Sequence, residues 1–209
     1  MNNVGEIKQC NFHHFTGAGK RGPSSFNMHD HEIVFTELNL RDRETFLDIG
    51  CGPGDYSIYA SNFISEYGII YAVDHSEEML KMLNEKIKCE NIKNIKVLKS
   101  DIYKQINLED KIADFILIST VLHAKGLAKA KENLFKEIYR TLKTEGRLFI
   151  IECKKEERNF GPPFEYRVSP EELNGALIEC KFKNVGYIDL GYNYMSKFIK
   201  NIKDDNGNN

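Results

Sequence analysis

A turn of three glycines after an apolar segment constrains the fold more than any other feature of this sequence. Apolar residues at 46–49 run into Gly50, Gly52 and Gly54, and a helical pattern follows. Glycines at such positions let the backbone approach a charged ligand closely. Asp74 ends the next apolar run, 20 residues after Gly54. This spacing predicts a βαβ unit whose second strand presents a carboxylate to both hydroxyls of a ribose.

The position of the third glycine indicates which nucleoside is bound. A dinucleotide fingerprint has this glycine one residue later, where Asp55 stands. A carboxylate there would repel a pyrophosphate, whereas the methionine part of S-adenosylmethionine carries an ammonium group as well as a carboxylate. The sequence therefore favours S-adenosylmethionine, with S-adenosylhomocysteine as its product, over NAD. A chance glycine-rich turn is the alternative, and Asp74 disfavours it.

The segment Leu47–Gly54 resembles motif I of the class I S-adenosylmethionine-dependent methyltransferases. Later segments are similar to that family in order: motif II at 71–76, the adenine-contacting segment at 99–102, motif IV at 113–123 and the segment leading into strand five at 142–151. Residues 154–167, with Gly161-Pro162-Pro163, resemble small methyltransferases of the type 11 sort. The resemblance covers about residues 28 to 200 and implies an enzyme that transfers a methyl group. It does not indicate the acceptor.

Strand-like and helix-like periodicities alternate along the chain, which predicts an α/β fold with helices on both faces of a mostly parallel sheet. We expect a Rossmann-like, doubly wound sheet of seven strands whose last pair is antiparallel. The strands are predicted at 44–49, 69–74, 94–99, 113–119, 146–152, 184–190 and 192–200. The helices are predicted at 26–40, at 55–66, after Ser76, along the stripe Leu134–Leu142 and from Ser169 to Cys180.

The chain is long enough for one complete domain, since 41% of its 209 residues are hydrophobic. We expect this domain at 26–201, after an irregular segment at 1–25 and before a polar, disordered tail at 202–209. The family resemblance implies that the leading helix lies over the cofactor as a lid.

Composition limits the partners. A net charge of -2 gives no electrostatic reason to expect nucleic acid or an anionic membrane, so we expect a small-molecule acceptor and a monomer or homodimer. The five cysteines are odd in number and contain no Cys-x-x-Cys pair, which suits a reducing compartment. The first residues show no basic region followed by an apolar segment. These features together predict a cytoplasmic protein.

Several polar residues lie where strands are predicted to end, which is where open α/β sheets bind ligands. Asp48 is expected to orient the glycine turn or meet the methionine ammonium group, or only to form a structural hydrogen bond. Asp101 is expected to accept from the adenine amino group while Ile102 or Tyr103 donates its backbone N–H, or only to cap a turn. Met79 and Leu122 are expected as apolar walls, although core packing explains both equally well. The remaining predicted cofactor contacts are Gly50, Cys51, Gly52, Gly54, Asp74, His75 and Ser119.

Methyl transfer needs in-line alignment of the acceptor, and a base only where the nucleophile is protonated. His123, after the predicted fourth strand, is the candidate for such a base or for a donor that positions the acceptor. It is equally interpretable as a residue that orders its own loop. Lys155, Arg167 and Tyr194 are candidates for the acceptor pocket, with solvated surface as the alternative.

Two other apparent motifs are rejected. The histidines and cysteine near the start do not have the spacing of a zinc site, so no metal is expected; they are Cys10, His13, His14, His29 and His31. Thr16–Arg21 lacks the first glycine, the preceding strand and the Ser or Thr of a phosphate-binding loop.

Three alternative functions stay open. The chain can be a non-catalytic cofactor-binding or scaffold protein with the same fold. A NAD-dependent oxidoreductase is a second alternative, which Asp55 disfavours. The spacing of Cys51, Cys153 and Cys180 neither supports nor excludes methylation of a metalloid through cysteine.

Overall fold

The computed structural model describes residues 24–102, 104–124 and 131–201, except for the side chains of Lys131 and Glu132. All but the last two residues of the predicted irregular segment lie outside these ranges, as does the predicted tail at 202–209. The rejected phosphate-loop segment Thr16–Arg21 also lies outside them.

The described residues form one seven-stranded sheet in the order β3-β2-β1-β4-β5-β7-β6. The strands are β1 Thr45–Ile49, β2 Ile69–Asp74, β3 Ile95–Lys99, β4 Ala113–Ser119, β5 Leu142–Cys153, β6 Phe182–Leu190 and β7 Asn193–Lys200. The first five strands pair in parallel, and β7 runs antiparallel to both β5 and β6. The predicted fold class is therefore confirmed.

Within the described ranges, five α-helices cover the faces of this sheet. They are α1 His31–Leu38, α2 Asp55–Ala60, α3 Glu77–Cys89, α4 Lys131–Thr141 and α5 Pro170–Glu179. Buried residues of α4 and α5 pack in one core cluster, and buried residues of α1 and α2 pack in a second cluster with other strand residues. This arrangement brings the carboxyl ends of β1 to β5 to one edge, where the glycine turn also lies.

The leading helix is shorter than predicted. A 3₁₀ turn occupies Ser25–Met28, and α1 begins only after Asp30, whose carboxylate accepts from the Glu32 N–H at 2.9 Å. An aspartate at this position is a strong N-cap, so it sets where the helix starts. The predicted helix 26–40 is therefore two elements.

Helix α2 also ends early, at Ala60 rather than at residue 66. The Ser61 hydroxyl donates to the Ile58 carbonyl oxygen at 2.6 Å, and a serine that bonds back in this way competes with continued helix. The chain then turns, and Ile64 enters the core with 1% of its surface exposed.

Leu142 was expected at the end of a helical stripe but is the first residue of β5. It pairs with Ala113 of β4, and a register irregularity follows between Ala113 and Phe115. Leu142 is fully buried, so its apolar character reflects core packing and not helix periodicity. Single-sequence periodicity cannot separate these two causes at an element boundary.

Helix α5 has the start that its sequence predicts. Ser169 Oγ accepts from the Glu172 N–H at 3.2 Å, and the Glu172 carboxylate accepts from the Ser169 N–H at 2.8 Å. Pro170 occupies the first turn, where its missing N–H costs nothing. The reciprocal pair is a capping box.

We expect the substitution Ser169→Ala to lower the free energy of unfolding by about 1 kcal/mol, because one first-turn N–H loses its acceptor. Urea unfolding followed by circular dichroism measures the change. The control is Thr144→Ala, at an exposed position. Its free energy of unfolding should stay within about 0.5 kcal/mol of the wild-type value. Equal effects of the two substitutions would contradict the capping role.

The state of the cysteines differs from the sequence-based expectation at one position. Cys51, Cys153 and Cys180 are free thiols, but Cys89 is in a disulfide. The expectation of reduced thiols is wrong at Cys89.

Candidate functional site at the carboxyl edge of the sheet

The glycine turn joins β1 to α2 and is held by the neighbouring strand. The N–H groups of Gly50 and Cys51 both donate to the Val73 carbonyl oxygen, at 2.8 and 3.0 Å. Gly52 has a φ of +54°, and a Cβ built on it would meet nothing within 4 Å. The turn therefore has open space beside Gly52, which fits the close approach of a ligand to backbone.

Asp74, the last residue of β2, is tied to this turn. Its Oδ2 accepts from the Gly52 N–H at 3.0 Å, and its Oδ1 accepts from the Ser76 N–H at 2.8 Å. His75 Nδ1 lies 3.4 Å from the same Oδ1. Two backbone donors fix the carboxylate, so its remaining lone pairs are in a defined orientation. Asp74 and Gly52 are brought together as their spacing in sequence predicts.

Asp48, on β1, is buried and accepts from the Ser57 hydroxyl at 2.6 Å. Burial first, and then the charges of Asp74 and Asp55, raise its pKa to about 7 although the Ser57 hydrogen bond opposes the change. An ammonium group placed beside this carboxyl would favour its ionised form.

The raised pKa of Asp48 predicts a pH-dependent stability. An unfolded aspartate loses its proton near pH 4 and the folded one near pH 7, so this carboxyl stabilises the fold fully only below about pH 4. We expect the free energy of unfolding to fall by about 1.4 kcal/mol per pH unit between about pH 4 and 7 through this group. Thermal melts of wild type and Asp48→Asn at about pH 5 and 8 measure it. The Asn variant should lose less stability at the higher pH, and parallel losses would contradict the assignment.

Asp55 does not act as the sequence argument assumed. Its carboxylate pairs with Lys86 Nζ at 2.5 Å, and the same Nζ donates to the Pro53 carbonyl oxygen at 3.1 Å. The lysine comes from α3, far along the chain, so its neutralising charge could not be read from the local sequence. The repulsion of a pyrophosphate by Asp55 is therefore weaker than that argument required.

A pocket of about 570 Å³ lies beyond β2 and β3. Its lining includes His75, Leu98, Asp101 and Ile106. Asp101 is partly exposed, with Lys104 Nζ 3.8 Å from its carboxylate, and Ile102 is buried. The structure thus brings two of the predicted residues, His75 and Asp101, to one pocket. Asp74, Ile102 and Met79 do not line it, and Met79 is half-buried at the start of α3.

The fourth and fifth strand ends meet at His123. His123 Nδ1 lies 2.7 Å from Glu152 Oε2, and Glu152 Oε1 accepts from the Leu122 N–H at 2.6 Å. Burial alone would lower the pKa of His123, but hydrogen bonds and charges of Cys153 and Glu152 outweigh it and raise the pKa to about 10. The imidazole is therefore protonated at neutral pH, which favours a donor over a base.

Glu152 was missed in the sequence. It follows the apolar run Leu148–Ile151 near the end of β5, and its side chain is fully buried. The same signal, an acidic residue at the end of an apolar parallel strand, identified Asp74. It could have identified Glu152 as well.

The leading segment crosses this edge of the sheet. Ser25 Oγ lies 2.8 Å from Ser119 Oγ at the end of β4. The two ring nitrogens of His29 lie 2.8 Å from the Tyr56 hydroxyl and 2.8 Å from Asn193 Nδ2. Burial first, and then the charge of His31, lowers the pKa of His29 to about 4. Tyr56 and Asn193 belong to separate elements, so sequence spacing gave no signal for either.

The structure does not bring the three candidates for the acceptor pocket together around an open cavity. The buried Arg167 guanidinium donates to the carbonyl oxygens of Pro162 and Phe160, at 2.9 and 2.8 Å. The buried Tyr194 hydroxyl donates to the Val168 carbonyl oxygen at 2.9 Å. Lys155 pairs with Glu172 at 2.5 Å. In this structure the first two hold the chain after β5 in place, and Lys155 pairs with α5.

Comparison with known proteins agrees with this geometry. The profile of a family described as "Methyltransferase domain" matches residues 40–206. A solved structure of an S-adenosylmethionine-dependent methyltransferase from Aquifex aeolicus is 34% identical, with a TM-score of 0.76, over 85% of this chain and 93% of that one. The chain therefore belongs to the methyltransferase domain family, and the predicted family and its cofactor, S-adenosylmethionine, are confirmed at this level.

Two curated relatives match a smaller part of the chain. The ubiquinone/menaquinone biosynthesis C-methyltransferase UbiE of Escherichia fergusonii is 35% identical over 121 residues, which are 56% of this chain and 45% of the relative. A demethylmenaquinone methyltransferase of Geobacillus kaustophilus is 27% identical over 126 residues, 59% of this chain and 51% of the relative. The chain thus spans about half the length of the curated relatives it matches.

None of the helices in the described part of the chain is both long enough and apolar enough to span a membrane.

Proposed function

We propose that this protein transfers a methyl group from S-adenosylmethionine to a small-molecule acceptor by direct in-line displacement. The observation that carries the proposal is the contact of Asp74 with the Gly52 N–H beside open space at the turn. Family membership supports the same activity. The names of the curated relatives, which are methyltransferases of quinone biosynthesis, support a small organic acceptor.

The cofactor supplies an electrophilic methyl group on a sulfonium when bound. In the proposal Asp74, with His75 beside it, binds the ribose hydroxyls, and Asp48 lies against the methionine ammonium group. Asp101 and the Ile102 N–H bind the adenine, and Met79 and Leu122 pack against it. The backbone of the turn and the end of β4 complete the cofactor site, through Gly50, Cys51, Gly52, Gly54 and Ser119.

The acceptor in this proposal lies beyond β4 and β5, next to His123. The bond from Nδ1 to Glu152 orients the ring, which supports His123 as a residue that positions the acceptor. The raised pKa of His123 favours this role over that of a base. Lys155 stays a candidate at the rim, since a small rotation frees it from Glu172.

We propose that the segment Ser25–Leu38 is a lid over this site. Its support is three contacts that cross the edge, from Ser25 to Ser119 and from His29 to both Tyr56 and Asn193. Each contact joins the segment to a different element. Val34, Phe35 and Leu38 anchor α1 in the second core cluster, so the part that opens is the stretch before α1, which is held by these hydrogen bonds and by the packing of Phe26 on Tyr56 and Tyr59.

The proposal also keeps a single domain at 26–201, a cytoplasmic location, a monomer or homodimer, and no binding of nucleic acid or membrane. The net charge of -2 supports the last of these points. The three free thiols support the location, and the disulfide at Cys89 opposes it. Size-exclusion chromatography with light scattering tests the oligomeric state.

The test of the proposed function begins with calorimetric titration of the full chain. S-adenosylmethionine and S-adenosylhomocysteine should bind with one site each, and NADH should not bind. A panel of phenols, amines, thiols and carboxylates is then incubated with S-adenosylmethionine, and mass spectrometry detects the gain of one CH₂ unit. Binding without transfer to any acceptor would favour the non-catalytic alternative, and no binding would overturn the proposal.

A further inference from the structure

Three side chains with metal-binding atoms meet where β4 and β5 end. His123, Glu152 and Cys153 each offer one ligand atom, and these atoms lie within 4.8 Å of one another. Glu152 is fully buried and Cys153 is 1% exposed, whereas the His123 side chain is 23% exposed. The cluster is therefore closed toward the core and open on the imidazole side.

The spacing of these atoms is close to that of a zinc site. Bonds of about 2.0–2.3 Å in a tetrahedral arrangement hold ligand atoms roughly 3.3–3.7 Å apart. His123 Nδ1 and Glu152 Oε2, now 2.7 Å apart, would separate by about 0.6–1 Å when an ion replaces the proton between them. The Cys153 sulfur lies within the 4.8 Å limit and needs to move inward by about 1 Å at most.

The surroundings already orient one ligand. The Leu122 N–H donates to Glu152 Oε1 at 2.6 Å, which leaves Oε2 as the oxygen that faces His123. Partners of this kind fix the ligand geometry at metal sites. A thiolate, an imidazole and a carboxylate together suit zinc, while magnesium and calcium prefer oxygen ligands only.

We propose that His123, Glu152 and Cys153 form a three-ligand zinc site at the carboxyl edge of the sheet. Three protein ligands leave a fourth position for water or another ligand, as in catalytic zinc sites. The site shares no residue with the rejected group of histidines near the start. Its members are too far apart in the sequence for spacing to suggest a metal site. If the proposed methyl transfer holds, the fourth position lies at the edge where the acceptor binds. With zinc bound, His123 would give up the proton on Nδ1, so the ion would take over the positioning of the acceptor that the proposed function gives to the protonated imidazole.

The experiment uses the full chain, reduced and stripped of metal with a chelator. One equivalent of Zn²⁺ should bind, and Co²⁺ in its place should give a thiolate-to-cobalt absorption band. Cys153→Ser should abolish the band and weaken Zn²⁺ binding by more than about 100-fold, since losing even a residue that only hydrogen-bonds to a metal ligand costs about 10- to 100-fold. Cys180→Ser, at a free thiol on a different element, is the matched control. It should keep the absorption band and the wild-type affinity for Zn²⁺. A band that survives in Cys153→Ser, or no binding of one equivalent, would overturn the proposal.

Cys153 and Glu152 are buried, so their variants are checked for folding by circular dichroism. His123→Gln, at the partly exposed ligand, is the second variant and should also weaken Zn²⁺ binding by more than about 100-fold. Wild-type affinity for Zn²⁺ in this variant would contradict the site. Titration of S-adenosylhomocysteine in the same samples separates the two proposals: binding of the nucleoside without zinc overturns only the zinc site, and binding of zinc without the nucleoside overturns only the methyltransferase function.

Discussion

Replacing Gly54 with valine is expected to destabilise the fold by about 2 to 5 kcal/mol. Gly54 has a φ of +80°, and a left-handed conformation costs a residue with a Cβ about 1–2 kcal/mol. A Cβ at this position would lie 2.2 Å from Leu83 Cδ1 and 2.9 Å from two further atoms of that side chain. Leu83 is fully buried, so it has little space to move away, and overpacking of this kind costs about 1–3 kcal/mol more.

Urea unfolding measures this loss, and Gly52→Val is the matched control. Gly52 also has a positive φ, but a Cβ there meets nothing within 4 Å. The control should therefore lose only about 1–2 kcal/mol of stability. Since its side chain would occupy the space beside the turn, it should lose binding of S-adenosylhomocysteine. A Gly52 variant that binds normally would show that the ligand lies elsewhere.

Asp74→Ala is expected to weaken the binding of S-adenosylhomocysteine by about 5- to 150-fold, or about 1 to 3 kcal/mol. The substitution removes the acceptor for the ribose hydroxyls, and it also leaves the N–H groups of Gly52 and Ser76 without their present partner. Isothermal titration calorimetry of wild type and variant measures the change. Circular dichroism establishes whether the variant remains folded.

The loss of ribose contacts can be separated from a general loosening of the turn. The 2′-deoxy analogue of S-adenosylhomocysteine should bind wild type more weakly than the parent compound does. Asp74→Ala should discriminate little between the two, because the group that reads the hydroxyl is gone. Equal discrimination in wild type and variant would refute the ribose assignment.

Local patterns predicted more of the fold than of the site. The alternation of strands and helices led to the correct sheet class, and the capping box at Ser169 led to the correct start of α5. The predicted ends of α2 and of the leading helix were wrong, because Ser61 and Asp30 act through hydrogen bonds that hydrophobic periodicity does not register. Cys89 similarly forms a disulfide that the spacing of cysteines did not indicate.

Distant contacts explain what sequence analysis missed in the site. Lys86 neutralises Asp55 from a helix 31 positions along the chain, and Glu152 meets His123 across 29 positions. Arg167 is a predicted residue of the acceptor pocket, but its guanidinium turns inward to backbone carbonyl oxygens. Charge pairing of this kind depends on which strands are neighbours, and no local pattern specifies that.

The sequence by itself determined the glycine turn, the aspartate that ends β2 and the N-caps of α3 and α5, because each follows from φ preferences, hydrogen bonds or spacing that can be read along the chain. The tertiary structure alone decided that β4 lies beside β1, that β7 lies between β5 and β6, and that His123, Glu152 and Cys153 form one cluster. The physical reason is that strand order is selected by burial of both faces of the whole sheet. Only that order places groups from separate strands within bonding distance.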